Sequence, residues 1–340
     1  MSDSSTRRPA VGVRDVAALA RVSPTTVSNA LSGNRPVSSS TRERVVWAVE
    51  QLGYRPNISA QNLRGRRTGL IGVAVPEIDV PYFAELIRHV VDASRQRGYT
   101  VLIDQTEGRL EAERFVLNGM NPGMVDGILF SPLSVDRTEC ETRRDRTPLV
   151  LLGERVSGHG VDHVAIDNVA AAADATNHLI RRGCHRIAAI GYQESHGGGT
   201  APQRTQGYRT ALRAADLTFD PVLVRHTDRY HRRDGEQAMM ELLDSSGDPD
   251  AVFCYSDLLA LGAIHALHDR GLRVPEDVAV IGIDDIDEGR YSTPTLTTVA
   301  PDKVAIANAA VELLFDQIAG TAQAPRQVVA PHTVEVRRSA

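Results

Sequence analysis

The chain has 340 residues, of which 42% are hydrophobic and 24% are charged, and its formal net charge at pH 7 is −5. These proportions are typical of a globular protein, and the length favours two or more domains over a single core. No apolar run reaches the roughly 20 residues needed to span a bilayer, and the opening MSDSSTRRPA lacks the hydrophobic stretch of a secretory signal, so we predict a cytoplasmic protein.

Charge is distributed unevenly along the chain. Residues 1–67 carry 11 arginines and four carboxylates, a net of +7, whereas the remainder has 27 basic and 39 acidic residues, a net of −12. A basic head on an acidic body indicates that the head meets a polyanion. A solvated arginine-rich surface is the alternative, because arginine is the usual cation of this chain and Lys303 is its one lysine.

Three short helices are predicted at residues 13–20, 24–31 and about 39–51. Ser23 can cap the second helix, PTTVSNAL, and Pro24 occupies its first position, where a missing N–H costs nothing. The pattern assigns the following apolar side chains of the second and third helices to the core: Val27, Ala30, Leu31, Val45, Val46, Ala48, Val49 and Leu52.

The outer side of the second helix carries hydroxyl and amide groups. These outward residues are Thr25, Thr26, Ser28 and Asn29. A short polar helix that follows another helix after a tight turn is typical of a helix-turn-helix, whose second helix enters the major groove of DNA. A three-helix bundle with a polar surface is the alternative.

From residue 68 onward, apolar runs alternate with amphipathic stretches. Strands are predicted at residues 69–75, 99–104, 127–130, 148–152, 186–191, 251–255 and 278–283, with helices between them at about 82–97, 109–120, 168–182, 203–215, 233–245, 256–270 and 302–319. This alternation indicates buried parallel, doubly wound sheets, and hence a two-lobed α/β body. One lobe is expected to comprise about 68–167 and 297–326, and the other about 168–296 and 327–340.

Aromatic, charged and hydroxyl-bearing residues lie after several predicted strands, at the sheet edge where doubly wound folds bind ligands. These candidate binding residues are Tyr82, Phe83, Arg204, Ser256, Asp257 and Asp284. The alternatives are core packing for the aromatic pair, a surface position for the arginine and a helix cap for Asp257. No G-x-S-x-G, G-x-G-x-x-G or P-loop motif occurs, so no catalytic residue, cofactor or metal site is predicted.

The run RDVAALARVSPTTVSNALSGNRPVSSSTRERVVWAVEQLGYRPN resembles the DNA-binding headpiece of the lactose-repressor/galactose-repressor (LacI/GalR) family. Its motifs DVA, VS, TVS, TRERV and LGYRPN occur in the family's order and spacing. The resemblance implies that Pro24, Thr25 and Asn29 read bases of double-stranded operator DNA, while Thr26 and Ser28 hold phosphates. Ser23 is assigned to the same DNA-binding set.

The segments GVAVPEIDVPYFAEL, RTQGY, SDLLALGAIHAL and VAVIGIDD resemble the effector-binding body of the same family, whose two-lobed fold is like that of periplasmic binding proteins. The resemblance implies an effector site formed by polar anchors and aromatic rings: Arg204, Asp284, Tyr82, Phe83 and Tyr230. Asp167, at the crossing between the lobes, is expected to line the same cleft. Where a purine-binding member of the family has a second arginine, this chain has glycine in HGGGTAPQ, which argues against a purine ligand. The expected effector is a sugar or sugar derivative.

A short polar segment between head and body matches the family's hinge helix through the pattern YRPN..AQ.L. It is too short to be stable alone in water. The resemblance implies that it becomes helical on the operator, with Leu63 wedged between base pairs of the minor groove and Ala60 as a packing surface. Asn57, Gln61 and Arg64 are then expected beside the groove or the phosphates. A flexible polar linker is the alternative.

The predicted organisation is a disordered tail (1–10), a helix-turn-helix headpiece (11–56), a hinge (57–67) and an effector-binding, dimerising body (68–340). The predicted function is a sequence-specific transcriptional repressor, associated with the nucleoid, that binds a palindromic operator as a homodimer. The residues leave open whether the effector releases or recruits it. The alternatives are a solute-binding protein of a transporter, which carries a signal peptide instead of a basic head, and an α/β enzyme, which carries a nucleophile, metal or cofactor motif.

Overall fold

The computed structural model describes residues 11–32, 35–54, 67–121, 123–153, 160–193, 199–245 and 248–340. The chain divides into two compact units, Met1–Thr68 and Gly69–Ala340. The described helices are α1 (Val13–Ala20), α2 (Pro24–Ser32), α3 (Ser39–Leu52), α4 (Pro81–Arg95), α5 (Leu110–Leu117), α6 (Arg137–Thr142), α7 (Asn168–Arg181), α8 (Thr200–Ala214), α9 (Arg232–Asp244), α10 (Asp257–Asp269), α11 (Asp287–Tyr291) and α12 (Lys303–Ala319). The described strands are β1 (Leu70–Val75), β2 (Thr100–Gln105), β3 (Ile128–Phe130), β4 (Leu149–Leu152), β5 (Asp162–Ile166), β6 (Ile187–Tyr192), β7 (Val224–His226), β8 (Ala251–Cys254), β9 (Ala279–Ile283), β10 (Thr297–Pro301), β11 (Gln327–Ala330) and β12 (His332–Glu335).

The N-terminal unit folds around a small apolar core supplied by α1, α2 and α3. Val16, Val27 and Val45, one from each helix, are completely buried. Arg21 follows α1 with a left-handed φ of 54°, which turns the chain into α2 within three residues. Gly53 ends α3 in the same left-handed conformation, which glycine adopts without steric cost. The predicted helix-turn-helix is confirmed.

Two residues of the predicted headpiece core lie on the surface instead. Leu31 is 39% exposed and Val46 is 43% exposed. Successive side chains on a helix point about 100° apart, so Val46 cannot share the inward face that Val45 occupies. The core prediction was therefore wrong at these two positions.

The Gly69–Ala340 unit contains two six-stranded sheets. Their strand orders are β11-β5-β4-β3-β1-β2 and β12-β10-β9-β8-β6-β7. The described strand pairs are parallel except β10 with β12, which is antiparallel. Central strands such as β4, β8 and β9 are buried along their whole length, as expected in doubly wound sheets. The predicted two-lobed α/β body is thus confirmed. Within the described ranges, no helix has the length and apolar character needed to cross a membrane.

The return crossings between the lobes lie further along the chain than predicted. β10 pairs with β9 in the second sheet, and β11 pairs with β5 in the first. The crossings therefore follow these strands, whereas the predicted boundaries near Leu296 and Gln327 precede them. Strand β10 was not predicted because its sequence, TTVAP, is not an apolar run. Its buried Thr298 is accommodated because the hydroxyl donates a hydrogen bond to Asp257.

Candidate functional site

The α2 helix presents its polar side as predicted. Ser23 caps it, because its hydroxyl accepts a hydrogen bond from the backbone N–H of Thr26 at 3.0 Å. The two hydroxyl oxygens of this pair are 2.8 Å apart. Ser23, Pro24 and Thr25 are exposed, and Asn29 is half-buried one helical turn beyond Thr25 on the same side.

Thr26 and Ser28 are also half-buried, so these six predicted DNA-binding side chains lie on or beside the outer surface of α2. The remaining five predicted DNA-binding residues, Asn57, Ala60, Gln61, Leu63 and Arg64, lie outside the described residues, as does the predicted tail at 1–10.

A cavity of about 600 Å³ lies between the lobes, at the carboxyl ends of strands from both sheets. Six of the eight residues predicted to bind an effector line it: Tyr82, Phe83, Arg204, Tyr230, Ser256 and Asp284. They come from five separate segments of the chain, and the fold brings them to one cavity. A site with aromatic walls and a few charged groups is suited to a small polar molecule.

Arg204 is a buried cation whose orientation is fixed by neutral partners. Its Nε donates to the side-chain oxygen of Asn168 at 2.6 Å, and its Nη1 donates to the Tyr255 carbonyl. A guanidinium has five N–H groups, and these two bonds use two of them. The partners hold the group without neutralising its charge, which favours a role in binding oxygen atoms of a ligand.

Asp284 lies on an unusual turn. It has a φ of 129°, and the next residue, Asp285, has a φ of 48°. Both angles lie in the positive region that residues other than glycine rarely adopt. The Asp284 N–H donates to the carbonyl of Val299 at 2.9 Å, which ties the turn to the neighbouring strand β10. Strained backbone at a cavity wall is typical of residues whose position serves binding.

Three aromatic rings line the cavity. The Tyr82 and Phe83 rings meet edge to face, with centroids 5.3 Å apart and an interplanar angle of 73°. The Tyr230 hydroxyl donates to the carbonyl of Gly191 at 2.8 Å, which fixes the ring beside β6. The rings thus stand on both lobes.

Three of the predicted polar residues are engaged as helix caps or buried supports. Ser256 lines the cavity but also caps α10 through the N–H of Leu259. Asp167 is exposed, caps α7, and is not among the described residues that line the cavity. Asp257 is completely buried and absent from that lining as well; its carboxylate accepts hydrogen bonds from Thr298 and from the N–H of Ile286. The cleft assignments of Asp167 and Asp257 are therefore corrected.

Sequence reasoning missed the side-chain contacts that join the two lobes. Glu77, after β1, lies 3.3 Å from Arg229 and 2.9 Å from His231, and all three line the cavity. It also missed Asn168, which orients Arg204. The position of Asn168, at the start of a predicted helix and beside the predicted lobe boundary, was a signal that could have identified it. The contacts of Glu77 with Arg229 and His231 form only when the lobes fold together, so no local pattern predicts them.

Among the described residues, one group of histidine and carboxylate side chains lies close enough together to be considered as a metal site. The nitrogen Nε2 of His265 lies 3.9 Å from Glu236 and 3.7 Å from Asp269, on the surface formed by α9 and α10. The three side chains are partly or fully exposed, and none of them lines the cavity.

Comparison with known proteins agrees with this geometry. Residues 13–57 match the bacterial regulatory proteins of the lacI family, and residues 176–340 match the periplasmic binding protein-like domain. The transcriptional repressor CytR of Escherichia coli is 37% identical over 313 residues, which cover 92% of this chain and 91% of CytR.

Two solved structures are similar over nearly the full length. A complex of the transcriptional regulator CelR with cellobiose has a TM-score of 0.73 at 34% identity, covering 98% of this chain and 100% of that one. The lac repressor dimer bound to operator and to the anti-inducer ONPF has a TM-score of 0.85 at 26% identity, covering 97% and 99%. With its helix-turn-helix head, its two-lobed body and this identity to CytR, the chain belongs to the lacI family of bacterial transcriptional regulators.

Proposed function

We propose that the protein is a repressor that binds a twofold-symmetric operator as a homodimer, and that a sugar or sugar derivative in the interlobe cavity sets its affinity for DNA. The observation that carries the proposal is the convergence of Arg204, Asp284 and three aromatic rings on one cavity, in a chain that also has an exposed polar helix α2. The CelR complex with cellobiose supports a sugar ligand, and the operator complex of the lac repressor supports DNA binding.

The DNA half of the proposal is tested by selection from a random duplex pool with the full chain. We expect enrichment of a sequence with twofold symmetry, since two α2 helices of a dimer read two half-sites. A pool that gains no preferred sequence would refute sequence-specific binding.

The ligand half is tested by thermal unfolding in the presence of a library of neutral sugars, sugar derivatives and nucleosides. A ligand at about 100 times its Kd raises the unfolding free energy by about 2.7 kcal/mol, which corresponds to a Tm increase on the order of 5 °C. Arg204→Ala and Asp284→Ala should each remove the increase, because each lacks a charged hydrogen-bond partner, while operator binding is retained. An undiminished Tm increase in both variants places the ligand elsewhere.

We expect two exposed apolar side chains to be buried against a second copy of the chain in the dimer. Ile103, on the edge strand β2 of the first lobe, is 52% exposed, and Tyr291, at the end of α11 in the second lobe, is 81% exposed. We expect Ile103→Asp and Tyr291→Asp to shift the protein from dimer to monomer in sedimentation velocity, whereas Ile103→Val and Tyr291→Phe remain dimeric. Dimers of unchanged stability in both aspartate variants would place the dimer interface elsewhere.

A further inference from the structure

Lys303 is the one lysine among the 38 lysine and arginine residues of the chain. It is the first residue of α12, and only 6% of its surface is exposed. Lysine is rarely buried to this degree unless its charge is paired and its N–H groups are bonded.

Three oxygen atoms surround the Lys303 ammonium. Its Nζ donates to the carbonyls of Asp284 at 2.6 Å and Asp285 at 2.9 Å, and it lies 2.7 Å from Oε2 of Glu85. An ammonium has three N–H groups, so these contacts account for all of them. The ring of Tyr82 lies 5.9 Å from Nζ and adds a cation–π attraction. A planar guanidinium holds its N–H groups in a rigid fork and does not reproduce this arrangement.

One of the three oxygen atoms belongs to the first lobe and the other two belong to the second. Glu85 is on α4, in the first lobe, whereas the Asp284–Asp285 turn follows β9, in the second. Lys303 itself begins α12 directly after the chain crosses from β10. Its ammonium therefore bonds the two lobes to each other beside this crossing.

The same turn forms part of the cavity wall. Asp284 lines the cavity, and both aspartates of the turn have left-handed φ angles that need support from their surroundings. Arg290 binds the Asp285 carboxylate at 2.5 Å from within the second lobe, and Lys303 binds the two carbonyls. A ligand bonded to Asp284 therefore acts on the turn that Lys303 connects to α4.

We propose that Lys303 is a positioning residue that couples the cavity to the relative arrangement of the lobes. It is not among the described residues that line the cavity, so it acts through Asp284 and Glu85. A shift of the Asp284 turn lengthens or tightens the bond between Lys303 and Glu85, and this difference gives ligand and operator unequal affinities for the two lobe arrangements. The inference rests on the proposed function, because the lobe arrangement must govern DNA binding.

The first test measures the affinity of the full chain for the operator duplex selected from the random pool. Lys303→Met removes the charge and keeps an unbranched side chain of similar length. Lys303→Met and Glu85→Gln should each change the operator affinity by at least about fivefold, in the same direction, although both positions lie outside the headpiece. Arg273→Met is the matched control, because it removes an exposed ion pair with Asp277 elsewhere on the body and should leave the affinity within about twofold.

Wild-type operator affinity in Lys303→Met and Glu85→Gln overturns the proposal. If Lys303→Met shows no cooperative melting transition, Glu85→Gln decides, since the Glu85 side chain is one-third exposed and its loss leaves the core intact. If the pool yields no preferred duplex, the proposed function itself has failed, which is a separate result.

The second test uses the fact that the chain has no other lysine. An amine-acetylating reagent modifies Nζ of Lys303 and the α-amino group alone among the amines of the chain, so peptide mass spectrometry follows Lys303 without background. Binding of the selected duplex should change the acetylation rate of Lys303 by at least about fivefold, whereas a duplex of scrambled sequence should leave the rate unchanged. A purely structural lysine would react at the same rate with both duplexes, and that result contradicts the proposal.

Discussion

At the scale of single residues, the buried carboxyl group of Asp257 lies outside the cavity lining but close enough to the cavity-lining Asp284 to feel its charge. Asp257 has no exposed surface, and burial, together with the nearby charge of Asp284, raises its pKa to about 7. Hydrogen bonds from Thr298 at 2.6 Å and from the N–H of Ile286 at 3.0 Å oppose this shift, since they favour the carboxylate. The folded chain therefore binds this proton more tightly than the unfolded chain, in which the pKa is close to 3.8.

A pH dependence of stability follows from that raised pKa. The stabilisation due to the Asp257 proton is complete below about pH 4 and is lost as the pH rises towards about 7. Asp257→Asn has no such proton, so we expect the unfolding free energy of the wild type to fall relative to that of the variant between about pH 5 and pH 7.5. Urea unfolding of both proteins at the two pH values measures this difference, and parallel changes would show that Asp257 titrates normally.

At the scale of elements, α2 combines a helix cap with an exposed polar side, which we propose reads the bases of the operator. The hydroxyl of Ser23 is engaged with Thr26, whereas Thr25 and Asn29 share the outer side of the helix. Asn29→Ala should weaken binding of the selected operator by about 1–3 kcal/mol and relax the preference for one base pair, because an amide that bonds to a base edge carries sequence information. Affinity measurements on operator variants test this, with Glu50→Ala on the exposed surface of α3 as control. An equal loss of affinity for every sequence would assign Asn29 to the phosphates instead.

Apolar periodicity predicts the elements whose buried faces are purely apolar. The run GLIGVAV predicts a strand at 69–75, and β1 spans Leu70–Val75. The pattern fails for β5 and β10 because their buried polar groups are satisfied by residues far along the chain. Asp162 of β5 accepts a hydrogen bond from Gln317 at 2.7 Å, and Thr298 of β10 donates to Asp257. Neither partnership is visible in a local window of sequence.

The candidate site divides in the same way. Position after a strand predicts Tyr82, Arg204 and Asp284, because carboxyl ends of parallel strands converge at one edge of a sheet. The same rule also selects Asp257, which is a buried support instead, since residues next to each other on a helix point in different directions. The contact of Glu77 with His231 was not predicted, because it depends on how closely the two lobes approach.

At the scale of the whole molecule, charge and function are separated along the chain. The arginine-rich head, with a net charge of +7, is suited to the DNA backbone, and the acidic body, with a net charge of −12, disfavours it. The body instead provides the cavity, the two crossings that follow β10 and β11, and the Lys303 contact that bonds one lobe to the other. The proposed control of DNA binding by a small molecule therefore requires communication from the cavity to the head.

Linkage between operator binding and effector binding tests this proposed control most directly. Fluorescence anisotropy of the labelled operator duplex, titrated with the full chain, is measured with and without a saturating concentration of the ligand found by thermal unfolding. We predict a change in operator affinity of about 5–150-fold, and an equal change in ligand affinity when the operator is bound. If the duplex and the ligand both bind and neither alters the affinity of the other, ligand control of DNA binding by this protein is contradicted.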